Sequence, residues 1–146
     1  MQYMAMRLVV DTSVMVAAIR SNLGASNRIL EACLLERVEM LVSVPLMMEY
    51  EAVMSRSDHL KAARLERADI ERLLDDIATV LVPVKLAFLW RPNLPDPDDD
   101  MVLETAMNGG ADALVTFNRA DFLPIARRFG IDVLAPSQAV RRMEME

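Results

Sequence analysis

Five short apolar runs, separated by segments of helical length and period, set what this chain can fold into. They are Arg7 to Val10, Glu39 to Val44, Val80 to Val84, Ala113 to Thr116 and Ile131 to Leu134. The first is unbroken and ends on Asp11, Thr12 and Ser13, the mark of a buried parallel strand that hands over to a helix. Pro83 places the third at a sheet edge. Helices are expected from Val14 to Arg20, capped by Thr12 or Ser13, and then after Ser26, with Ile29, Leu30, Cys33 and Leu34 on one face. Pro45 suits the first helical position of a segment running to about Met54. Further helices are expected from Ala68 to Thr79, Asp98 to Asn108, Phe122 to Phe129 and Pro136 to Met143, with Ser55 to Leu60 as a loop. Strands alternating with helices imply an α/β fold, with a mostly parallel central sheet covered by helices on both faces. At 146 residues one domain over 1–146 is expected.

The densest charge lies at Pro95 to Asp100, where Asp96, Asp98, Asp99 and Asp100 lead directly into an apolar-periodic run from Met101 to Met107. Acidic residues at the start of a helix meet the positive end of its dipole, so part of the cluster is capping. Direction separates the rest. At about 100° per residue with Asp99 as zero, Val102, Leu103, Ala106 and Met107 fall at roughly 300°, 40°, 340° and 80°. Asp99 thus points along the core-facing stripe, while Asp98 and Asp100 point to either side and can reach water. A register shift of one residue would exchange Asp99 for Asp100, and Glu104, about 140° from Asp99, reads as surface. A carboxylate on a buried face is costly unless paired or bound to a metal. On the segment after Pro45, Leu46, Tyr50 and Val53 define the apolar face, Glu49 sits at its edge, and Glu51 points away.

In a parallel sheet of this kind, ligands bind at the carboxyl ends of the strands where the strand order reverses. Asp11 ends the first strand, Glu49 lies in the first turns after the second, and Asn118 follows the fourth. Asp99 opens the helix that leads into that fourth strand. If these ends converge, three carboxylates and an amide line one pocket, a donor set that suits Mg²⁺ or Mn²⁺ rather than zinc. His59 is the only histidine, which excludes a two-histidine metal site, and it reads as a loop residue. The net charge of -6 argues against a protein that coats nucleic acid, though not against an enzyme that holds phosphate through metal ions. No apolar run approaches the roughly 20 residues that span a bilayer, and the first residues do not resemble a signal peptide. A cytoplasmic protein without membrane attachment is expected. Cys33, the single cysteine, reads as a packed core thiol.

Val9 to Val14, Ser43 to Tyr50, Asp96 to Asp100 with Leu103, Glu104 and Ala106, and Gly110 to Thr116 together resemble the PIN domain family, and within it the VapC-like toxins of toxin–antitoxin pairs. The resemblance spans nearly the whole chain in order. It implies a PIN-like three-layer sandwich and a metal-dependent endoribonuclease that uses Mg²⁺ or Mn²⁺. It further implies an RNA substrate, a small antitoxin encoded nearby and a homodimer. The family's acids map to Asp11, Glu49 and Asp99 as catalytic metal ligands, with Asp96 as a supplement and Asp100 beside them. Thr12 or Ser13 would support the first acid, and Thr116 the far side of the site. Where many members have an aspartate two residues after the strand-ending threonine, this chain has Asn118, with Asp121 nearby as a possible substitute.

Two other classes stand beside this reading. A receiver domain also gathers acids at strand ends and uses Mg²⁺, but it needs a lysine after a late strand, and Lys61 and Lys85 are not so placed. A non-catalytic protein-binding module of the same fold is the other. For an RNA substrate, Arg28, Arg56, Arg119, Arg127 and Arg128 are available to phosphates.

Overall fold

The computed structural model describes residues 5–87 and 97–145, with side chains omitted at 97 and 98. Asp96 lies outside the described residues. The strands are β1 (Arg7–Val10), β2 (Glu39–Val42), β3 (Val82–Pro83), β4 (Ala113–Val115) and β5 (Asp132–Leu134). They form one sheet in the order β3-β2-β1-β4-β5. Every pairing is parallel, with Leu8 opposite both Met40 and Ala113. The strand carrying Pro83 is at the edge, where a missing N–H costs no ladder bond. Leu8, Val9 and Val10 are buried in the middle of the sheet, as expected of a central strand covered on both faces.

The helices are α1 (Thr12–Arg20), α2 (Ala25–Leu34), α3 (Val44–Met54), α4 (Ser57–Ala63), α5 (Arg67–Val80), α6 (Pro97–Gly109), α7 (Arg119–Ala126) and α8 (Pro136–Glu144). A short 3-10 turn, Arg127–Phe129, follows α7 and ends on Gly130 at a positive φ. Helix starts differ slightly from expectation. Asp11 rather than Ser13 or Thr12 occupies the N-cap position of α1, and Gly24 rather than Ser26 that of α2. Ser43 caps α3, its Oγ accepting the Leu46 N–H at 3.4 Å. The stretch expected as a loop from Ser55 is largely α4. It buries no side chain, so it shows no apolar period, and Arg64 in the left-handed region ends it where a glycine would be the usual signal.

The second correction concerns α6. It packs on β1, β2 and β4 and also touches α3 and α7, and it is enclosed nearly all round. Asp99, Asp100, Val102, Leu103, Glu104, Thr105 and Ala106 are all buried. Asp100 and Glu104 therefore do not reach water as expected. They are one helical turn apart on a shared face, and both have interaction partners. At the far end of this helix Gly109 lies against the β2–β3 edge. A Cβ there would meet Val84 Cγ2 at 2.8 Å and Leu41 Cδ1 at 3.0 Å. Gly110 follows at a φ of 62° and ends the helix.

Cys33 is a core thiol, as expected. Burial pushes its pKa up to about 12, so thiolate, the reactive form, is scarce at neutral pH. Native protein should resist iodoacetamide, and denatured protein should take up one adduct by mass spectrometry. Rapid labelling of the native state would contradict this placement.

Candidate active site

The strand order reverses between β1 and β4, since β2 and β3 extend one way and β5 the other. At the carboxyl end of that junction lies a cleft of about 380 Å³, lined in part by Asp11, Glu49, Asp99 and Asn118. Residues far apart in sequence are thus brought together at the place where parallel sheets bind ligands.

Each is held by a different element. Asp11 follows β1, and its N–H donates to the Val115 carbonyl of β4 at 2.9 Å. Its Oδ2 accepts the hydroxyls of Thr116 at 2.7 Å and Ser13 at 3.1 Å. Burial raises the Asp11 pKa above its ordinary value. The Thr116 and Ser13 hydroxyls and the Thr12 and Ser13 amides draw it partly back. Burial dominates because hydroxyls and amides bring dipoles to the carboxylate and no full positive charge. Thr116 is fully buried and also accepts the Asn118 N–H at 3.0 Å. One hydroxyl thereby ties the end of β4 to the acid at the end of β1.

Glu49 comes from α3 and is half-buried, while Glu51 is exposed, in agreement with the helical wheel. The neighbouring Tyr50 is fully buried, and its hydroxyl donates to the Val10 carbonyl. This bond fixes the rotation of α3 against β1, and with it the side from which Glu49 approaches Asp11. Burial is also the main reason the Tyr50 hydroxyl titrates well above its ordinary value. Asp99 sits in the first turn of α6 with 8% exposure. A buried hydroxyl pair, Ser43 with Thr105 at 2.7 Å, links the start of α3 to α6.

Thr12 and Ser13 also line the cleft. Asp100 and Asp121 do not appear in its lining. Asp100 is turned into the interior. Asp121 is exposed in the first turn of α7, outside the lining of the cleft in this structure. Among the described residues, no three His, Cys, Asp or Glu side chains are gathered tightly enough to hold a metal ion between them.

Besides the apolar Val16 and Val53, two further residues line the cleft, Arg56 and His59. His59 is not the remote loop residue the sequence implies. The short helix α4, which rests on α1, carries it to the site. Of the other arginines considered for phosphate, Arg28 pairs with Glu144, and Arg119 Nε donates to the Val133 carbonyl at 3.0 Å. Arg127 and Arg128 are on the surface of the 3-10 turn. Among the described residues no lysine lines the cleft, so the charge a receiver domain would need is missing from them.

A family model described as PIN domain matches residues 7–120. Among solved structures the chain is similar to VapBC2 from Rickettsia felis, crystallised bound to a DNA fragment from its promoter. The TM-score is 0.61 over 89% of this chain and 98% of that one, at 16% identity, a likeness of fold. No curated protein matches the chain.

Proposed function

This chain belongs to the PIN domain family, and from that premise we propose that it is a Mg²⁺- or Mn²⁺-dependent endoribonuclease, the toxin of a toxin–antitoxin pair. The observation that carries the reading is the convergence of three carboxylates, each from a separate element, on one cleft at the switch point of the sheet. The similarity to VapBC2 supports the toxin assignment and an antitoxin partner. We include in the proposal a homodimer and a cytoplasmic location. Among the described residues no helix is long and apolar enough to cross a membrane.

The donor chemistry fits a hard divalent cation. Asp11, Glu49 and Asp99 would hold it, since carboxylate oxygens are what such ions take. In this structure the three are not gathered on one point; ionised carboxylates brought together there would repel, and a divalent cation would offset that repulsion. When bound, such an ion lowers the pKa of water and neutralises charge on phosphate. The protein's own groups do the rest. Thr116 and Ser13 hold the Asp11 carboxylate in one orientation. Tyr50 and the Ser43–Thr105 pair hold α3 and α6 in place beside the cleft that Glu49 and Asp99 line with Asp11. The Asn118 side chain brings an amide donor and acceptor to the cleft rather than a fourth carboxylate, which favours fewer bound cations.

Purified protein should cleave single-stranded RNA with Mg²⁺ or Mn²⁺, stop when EDTA is added, and resume when the metal is restored in excess. Cleavage that persists in EDTA would overturn the metal dependence. Failure to cleave any RNA with metal present would favour a protein-binding module.

A further inference from the structure

We propose that Arg56 and His59 form a phosphate-binding wall of the cleft that contacts the RNA backbone beside the carboxylates. The proposal rests on the ribonuclease reading and names two substrate-binding residues for it. The argument begins with charge. The cleft is lined by Asp11, Glu49 and Asp99, and among the described residues Arg56 is its only permanent cation. A phosphodiester entering such a cleft needs a positive group of the protein as well as whatever ion the carboxylates hold. An arginine meets phosphate with a planar fork of donors, which a lysine cannot reproduce.

The second observation is that neither side chain is engaged in holding the fold. Arg56 is exposed, and among the described residues its guanidinium makes no ion pair or hydrogen bond, unlike Arg28 and Arg119. His59 is half-buried, and its Nδ1 is buried without a hydrogen-bond partner. Such an atom is costly to leave unmet. No hydrogen bond at Nδ1 fixes the ring within the fold, and a contact with phosphate in the cleft would fall to the other ring nitrogen, Nε2. The third observation is the short helix at whose start they sit. Helix α4 buries no side chain, so it adds little to the core; Arg56 is its extended N-cap residue and His59 lies in its first turn. The start of this helix thus brings a guanidinium and an imidazole to the rim of the same cleft.

The test uses the full chain and a short fluorescein-labelled single-stranded RNA of mixed sequence. Binding is measured by anisotropy with Ca²⁺ in place of Mg²⁺ over a range of salt, and cleavage kinetics are measured separately with Mg²⁺. Arg56→Ala should weaken binding roughly ten-fold, the loss expected for a charged hydrogen bond. It should also lower the slope of log K against log salt by about 0.7, one phosphate contact to a single strand. KM should rise in proportion while kcat stays within about two-fold, because the contact is made equally before and during reaction. Arg56→Lys should keep the salt slope and recover only part of the affinity. His59→Ala should raise KM about three- to ten-fold, and His59→Gln, which retains a donor, should restore most of it. Because α4 buries no side chain, these variants are expected to fold, and circular dichroism melts would verify it.

Wild-type KM and salt slope in both alanine variants would overturn the proposal, as would a fall in kcat with KM unchanged. Wild-type protein that binds RNA but does not cleave it would sink the ribonuclease reading alone, with the binding arm still deciding the role of Arg56 and His59. Wild-type protein that binds no RNA would overturn both.

Discussion

Asp99→Asn is expected to fold as the wild type does and to cleave RNA at least about a hundred-fold more slowly in Mg²⁺, since several kcal/mol of transition-state stabilisation depend on a correctly held cation. The substitution conserves shape and removes one charge. Asp99 is buried at the edge of the cleft, so the change falls on the site with little disturbance of packing. Asp100→Asn is the matched control. It alters the same residue type one position along, in the interior and outside the cleft lining, and should retain most of kcat/KM per folded molecule. Single-turnover cleavage with melting curves on both variants separates loss of chemistry from loss of fold. Wild-type rates in Asp99→Asn would end the assignment of that residue.

Asp11→Asn should raise stability while lowering activity. Folding raises the Asp11 pKa, chiefly by burial. A carboxyl whose folded pKa is raised binds its proton more tightly folded than unfolded. Its ionisation therefore costs stability as pH climbs from the unfolded value through the folded one, and the cost persists above that. Asparagine cannot ionise, so in EDTA at neutral pH the variant should melt above the wild type, by about 2–4 °C for each kcal/mol relieved. The gap should close as pH falls below about 4, where the unfolded carboxyl is protonated too. Adding Mg²⁺ should raise the melting temperature of the wild type more than that of the variant, because a ligand stabilises only the state that binds it. Cleavage should fall by about a hundred-fold or more. A variant less stable than wild type in EDTA at neutral pH would contradict this account of Asp11.

The parts of the fold legible in the residues were those that leave a periodic trace. An unbroken apolar run before Asp11 signalled a central strand, Pro83 an edge, and the position of Glu49 beside the Leu46–Tyr50 face a half-buried acid. The meeting of Asp11, Glu49 and Asn118 followed from their places at or after strand ends, and that of Asp99 from its place at the start of the helix that leads into the fourth strand. What stayed hidden left no such trace. Helix α4 buries nothing, so no apolar spacing announced it, and Arg56 and His59 could not be brought to the site without it. The wheel of α6 assumed one wet face and one dry one. That helix is enclosed on nearly every side, so apolar residues marked only one of its buried directions, and Asp100 and Glu104 filled another.

Gly109 gives α6 a second meaning. The helix carries Asp99 near one end and at the other is seated against Val84 and Leu41 with no room for a methyl group. Ten residues of helix separate the two points, about 15 Å at 1.5 Å per residue. A rigid rod clamped at its foot transmits any tilt there to its tip as a larger displacement, and cation coordination tolerates only a few tenths of an ångström. A side chain at Gly109 is therefore expected to disturb the aim of the Asp99 carboxylate at the far end of the same helix.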